Sequence, residues 1–199
     1  MLQPYLQLAR IDKPVGYWLL LWPTLLALWL ASHGTPSLHL VLIFTLGVFI
    51  MRSAGCVIND IFDRHIDAHV ARTHTRPLAA GTVAVRQALL FFAVLMVLAL
   101  ILVVQLNGYA LLLAIPAALL AVSYPLAKRW LVIPQAHLGL AFGFGIPMAY
   151  SAVQNTWPPA QAWWLFAANL CWVIAYDTYY AMVDRADDLK LQVRSSAIF

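Results

Sequence analysis

The chain has 199 residues, of which 63% are hydrophobic and 10% charged, with a mean hydropathy of +0.81. A soluble domain carries about 25% charged residues, so a water-soluble globule is excluded and the chain belongs in a membrane. Twelve Lys/Arg stand against eight acids, all of them Asp, for a formal net charge of +4. That is too sparse for a surface that tracks nucleic acid or for a disordered polyelectrolyte.

A helix needs about 20 apolar residues to cross the roughly 30 Å hydrocarbon layer. Six stretches approach this: 14–31, 38–57, 87–105, 109–124, 137–153 and 163–182. The fold class is therefore all-α, a multi-span transmembrane helix bundle. The links 32–37, 105–108 and 154–161 carry no charge, whereas the N-terminal end, 58–86, 125–134 and the segment after Tyr176 carry it. All twelve Lys/Arg, with Arg52 inside the second stretch near its charged end, fall on one side. By the positive-inside rule that side is cytoplasmic and holds both chain ends. The first ten residues lack the apolar core of a cleavable signal, so a bacterial cytoplasmic (inner) membrane is expected. Cys56 and Cys171 sit in apolar runs and read as buried thiols, not as a disulfide.

Seven of the eight Asp form two groups. After the second stretch come Asn59, Asp60, Asp63 and Asp67, and a continued helix puts them on one face. After the sixth come Asp177, Asp184, Asp187 and Asp188, with Asp177, Asp184 and Asp188 on one face and Tyr180 between them. Both groups lie toward helix C-termini, where anions are disfavoured and like charges a turn apart repel. A cation resolves both conflicts. Oxygen donors without thiols suit Mg²⁺ or Ca²⁺, and Mg²⁺ is commonly completed by substrate phosphates. With carboxylates available, His65, His69 and His74 read as ordinary polar residues in preference to ligands.

Arg72 and Arg76, held near Pro77, together with Lys128 supply cations suited to a diphosphate. Gly139, Gly143 and Gly145 read as helix-packing sites, and Pro23, Pro116 and Pro147 as tolerated kinks. The eight Trp read as interfacial or lipid-facing anchors.

Asn59-Asp-x-x-Asp63-x-x-x-Asp67, Asp184-x-x-x-Asp188 and Tyr124-x-x-x-Lys128 resemble the paired motifs of the UbiA superfamily of intramembrane prenyltransferases. The segments 10–16, 51–59 and 176–184 are most similar to its branch that prenylates 4-hydroxybenzoate in ubiquinone synthesis. The resemblance implies transfer of a polyprenyl group from polyprenyl diphosphate to the aromatic ring of 4-hydroxybenzoate, with Mg²⁺ as cofactor. It implies Asn59, Asp63, Asp67, Asp184 and Asp188 as metal ligands, and Arg72, Arg76 and Lys128 as diphosphate ligands. Tyr124 and Tyr180 become aromatic walls for an allylic cation, and Asp177 the group that orients the phenol or takes its proton. Arg129, with Arg10 second, becomes the partner of the acceptor's carboxylate.

Family members resemble nine-helix bundles, so 1–199 reads as a single membrane-embedded domain incomplete at its C-terminus, with weak or no activity expected of it alone. A prenyltransferase for another quinone or porphyrin acceptor is the near alternative. A cation or proton transporter and an inactive membrane fragment are the alternatives of another class. Transporter sites favour the bilayer midplane, whereas these acids gather at one interface.

Overall fold

The computed structural model describes residues 2–183, 185, 189, 190 and 195–198, and of these all side chains but those of Lys128 and Arg129. The described residues form helices and turns without strands. A short helix α1 (Gln3–Leu8) leads into α2 (Val15–Ala31), and the turn at His33 and Gly34 starts α3 (Leu38–Asp67). Ser37 caps α3 by accepting from the Leu40 amide at 3.3 Å. The first acidic motif thus rides on the same unbroken helix as the apolar stretch before it. The segment 68–84 folds back on the end of α3: Thr73 donates its hydroxyl to the Asp67 carbonyl at 3.0 Å, and Leu78 and Val83 are buried.

Next come α4 (Val85–Val103) and α5 (Gly108–Trp130). The Asn107 side chain accepts from the Ala110 amide at 3.0 Å to cap α5, and donates to the carbonyls of Ser151 and Ala152 at 2.8 and 3.1 Å. One residue therefore fixes the α4–α5 corner to a distant helix. The sequence reading ends the fourth stretch at Tyr124, but α5 continues through Pro125. His137 Nε2 lies 3.1 Å from both the Leu120 carbonyl and the Ser123 hydroxyl, within the turn that Pro125 leaves short of a donor.

The fifth stretch is two helices, α6 (Pro134–Gly143) and α7 (Gly145–Gln154), interrupted at Phe144. Pro147 has no N–H to offer the Gly143 carbonyl, which accounts for the break. Asn155 then closes α7 in the left-handed conformation (φ +52°), and Pro159 caps α8 (Ala160–Met182). Small residues let α6 approach α8 closely. A methyl on Gly139 would lie 2.5 Å from Leu170 Cδ1, and one on Gly143 would lie 2.7 Å from Phe166 Cε2.

Four of these segments are long and apolar enough to cross a membrane: Leu38–Asp67, Val85–Val103, Gly108–Ala127 and Pro134–Gln154. The 17-residue α2 is apolar but shorter. In α8 the apolar run is interrupted by Asn169, Asp177 and Thr178. Leu90 and Val97 are exposed on α4, and all eight Trp are exposed, as expected where lipid is the solvent. Cys171 is exposed on α8 and only Cys56 is buried, which corrects the reading of both as buried thiols. Cys171 lies on the exposed face of α8 with Trp172, while its neighbours Leu170 and Val173 turn toward α6.

Two apolar cores hold the bundle. One gathers Leu8, Val57, Ile61, Leu78, Val83 and Leu95 at the charged end. The other gathers Leu28, Phe44, Ile146, Tyr150 and Ala162 toward the uncharged end. A cavity lies between them.

Candidate active site

The cavity measures about 1780 Å³. Its charged mouth is built by α3, the 68–84 segment and the turn before α2, and its deeper walls by Ile43, Phe44, Met96, Leu100 and Val103. Asn59, Asp63 and Asp67 line it from α3 because a helix returns to the same face every three to four residues. Arg72 and Arg76 enter from the 68–84 segment, Arg10 from the turn after α1, Tyr124 from α5, and Asp177 and Tyr180 from α8. Every expected site residue with a described side chain thus opens on one space. Asp184 and Asp188 lie outside the described residues, as do the side chains of Lys128 and Arg129.

The pairing within this mouth departs from the sequence reading. Arg10, expected to meet an acceptor carboxylate, donates from Nη2 to both carboxylate oxygens of Asp60 at 2.7 and 3.0 Å. Arg76, expected to meet diphosphate, holds Asp67 Oδ2 at 2.7 Å and Asp60 Oδ1 at 3.2 Å. Asp67 therefore already carries a cation. Arg72 donates to the Tyr180 hydroxyl at 3.1 Å, and its guanidinium carbon lies 5.1 Å from the centre of that ring.

At the mouth the α3 face offers the oxygen donors of Asn59, Asp60, Asp63 and Asp67, which suit a hard divalent ion. Arg76 engages Asp60 and Asp67 on this face, and Asn59 and Asp63 line the cavity beside them. Among the described residues no three His, Cys, Asp or Glu side chains converge as a metal cluster.

The sequence reading assigns no role to Arg52, Asp60 or Tyr176. Arg52 lines the cavity two helical turns deeper than Asn59, with its guanidinium 5.5 Å from the Phe142 ring centre. Its Nε and the Tyr176 hydroxyl are buried without a hydrogen-bond partner among the described residues. Buried donors of this kind are costly unless a ligand completes them. Arg52 precedes Asn59 by seven residues, so extending the acidic spacing backward would have found it.

Residues 20–199 match the model of the UbiA prenyltransferase family. The chain is 58% identical over 194 residues to a 4-hydroxybenzoate octaprenyltransferase of Aromatoleum aromaticum, covering 98% of this chain and 66% of that one. It is 59% identical over 196 residues to the enzyme of that name from Tolumonas auensis, covering 98% and 68%. The chain thus spans about two thirds of the length of these relatives. Its fold matches the apo structure of a UbiA homolog from Aeropyrum pernix K1, with a TM-score of 0.77, 30% identity, and 90% of this chain and 67% of that one covered. A UbiA homolog from Archaeoglobus fulgidus, solved bound to GPP and Mg²⁺, shares the fold at a TM-score of 0.78 and 21% identity, with 98% and 69% covered. An acidic α3 face, arginines at its mouth and these likenesses agree: the chain is a multi-pass membrane protein of the UbiA prenyltransferase family.

Proposed function

We propose that this chain carries the site that transfers a polyprenyl group from polyprenyl diphosphate to the ring of 4-hydroxybenzoate. One observation carries the reading: a mouth of Asp and Arg opens directly into an apolar cavity, which fits a ligand with an anionic head and an isoprenoid tail. The relatives named 4-hydroxybenzoate octaprenyltransferase point to the acceptor, and the Archaeoglobus fulgidus homolog, bound to GPP and Mg²⁺, points to the metal. Mg²⁺ held by Asn59 and Asp63, together with Asp184 and Asp188, would neutralise charge on the departing diphosphate as a Lewis acid.

Arg72 and Arg76 add forked donors to the diphosphate oxygens as the carbon–oxygen bond to the prenyl group breaks, and Lys128 adds a point charge. Tyr180 and Tyr124 line the space where the allylic cation forms and serve as its aromatic walls. The apolar walls below exclude water that would otherwise quench the cation. The acceptor attacks through the carbon ortho to its hydroxyl, and Asp177 takes the proton released as the ring regains aromaticity. With Arg10 tied to Asp60, we assign the acceptor's carboxylate to Arg52, whose Nε faces no other partner among the described residues. Arg129, the first choice from family resemblance, is the alternative partner. The charged end, with this site, faces the cytoplasm of a bacterial inner membrane.

The test is an assay in membranes containing this chain continued to the length of its relatives. Labelled 4-hydroxybenzoate, a long polyprenyl diphosphate and Mg²⁺ are expected to give prenylated product, lost with Asp63→Ala. Turnover that is indifferent to Asp63→Ala, or no product from the unaltered protein, would refute the reading.

A further inference from the structure

Asp60 sits inside the acidic motif, between Asn59 and Asp63, yet its surroundings differ from theirs. It is 1% exposed and accepts from two guanidinium groups. Those groups reach it from both sides along the chain. Arg10 comes from the turn after α1, fifty residues earlier, and Arg76 from the 68–84 segment, sixteen residues later. Arg10 holds this position with a backbone φ of +63°, a conformation unfavourable for a residue with a Cβ, and its Nη1 also donates to the Gln7 carbonyl at 2.9 Å. Strain of this kind persists only where surrounding contacts hold it. An ionised carboxylate has about four acceptor positions. Three contacts from two cations occupy Asp60.

Asp67 differs in one respect: among the described residues its carboxylate reaches the mouth through one contact, to Arg76 at 2.7 Å. A cation or phosphate arriving at Asp67 competes for that contact. Arg76 then keeps Asp60 as its remaining anchor and stays over the cavity. Without Asp60, the same competition would release Arg76 toward water, and Arg10 would lose the partner that fixes its turn.

We propose that Asp60 is a positioning residue, not a metal ligand: it holds Arg76 at the mouth for an incoming diphosphate and pins the Arg10 turn beside it. The proposal rests on the diphosphate reading of the site, but its first test needs no turnover. Binding of inorganic pyrophosphate in the presence of Mg²⁺ is measured by calorimetry on the purified full-length protein. Asp60→Asn keeps the size and removes the charge; it is expected to weaken pyrophosphate binding by about tenfold, the loss of a charge-assisted contact. The Mg²⁺ concentration for half-maximal binding stays within about twofold, because a positioning role leaves the metal donors in place. In turnover the KM for polyprenyl diphosphate rises, and kcat falls with it because Arg76 also meets the departing diphosphate.

A second variant guards against misfolding. Arg76→Gln is expected to reproduce the weakened pyrophosphate binding, and adding Asp60→Asn to it should weaken binding little further, because both act through one guanidinium. Unchanged pyrophosphate binding in Asp60→Asn, a large rise in its Mg²⁺ requirement, or fully additive losses in the double variant would each overturn the proposal. If the unaltered protein binds pyrophosphate but forms no prenylated product, the reaction assignment fails while the role of Asp60 is still decided.

Discussion

The guanidinium of Arg52 lies across the bare α-carbon of Gly16, so close that a methyl there would sit 2.5 Å from Nη2 and 2.6 Å from Nε. Helix α2 thereby forms one side of a slot for the arginine, and the Phe142 ring forms another.

Gly16→Ala should push this guanidinium aside without removing it. We expect the KM for 4-hydroxybenzoate to rise about fivefold to tenfold, part of the value of a charged hydrogen bond, while the KM for polyprenyl diphosphate changes little. Steady-state kinetics with each substrate varied in turn separate the two effects. Equal rises in both would show that the slot does not serve the acceptor.

Arg52→Gln removes the charge itself. A loss of about 100-fold in kcat/KM for 4-hydroxybenzoate is expected, within the range for a charged partner left unpaired. The same variant should discriminate far less between 4-hydroxybenzoate and its uncharged amide. Competition between the two acceptors measures this directly, and retained preference for the carboxylate would assign that role to Arg129.

Gly139→Ala tests the close approach of α6 and α8. The new methyl meets Leu170 Cδ1 at 2.5 Å and the Leu170 carbonyl oxygen at 3.3 Å, so the helices must separate or Leu170 must turn. A loss of about 1–3 kcal/mol is expected from overpacking. Thermal unfolding in detergent would register it as a lower Tm.

Asn107→Ala removes a helix cap and two contacts to α7 in one change. About 1–2 kcal/mol should be lost from the cap alone. Faster hydrogen exchange at the start of α5 and the end of α7 would localise the damage to that corner.

The acidic face of α3 was legible because helical spacing is a local property. Asn59, Asp63 and Asp67 share a face on any continued helix, whatever packs around it. The pairing of Asp60 with Arg10 was not legible, because partners fifty residues apart meet only when α1 and the 68–84 segment fold onto α3. Arg52 was hidden for another reason: it also counts among the charges that orient the chain, although an ionisable residue within a span is by default a site candidate. Cys171 misled because an apolar neighbourhood in sequence does not distinguish lipid from protein. Six hydrophobic stretches were visible, but the break at Phe144 depends on the Gly143 carbonyl losing the donor that Pro147 lacks.

Helix α3 has 30 residues, about 45 Å at 1.5 Å per residue, against a hydrocarbon layer of about 30 Å. It works as a fixed gauge. The carboxylates at one end set the height at which a polar head can rest, and everything below is measured downward from there along a single rigid element. For the proposed substrate, lengthening the tail by one isoprene unit would leave the reacting end in register and add bulk only at the far end, near Thr24, Ile43 and Phe44. On the proposed function, selection for tail length and selection for chemistry would be mechanically separable: residues at the far end could be exchanged to suit a longer or shorter lipid while the geometry at the mouth stays put.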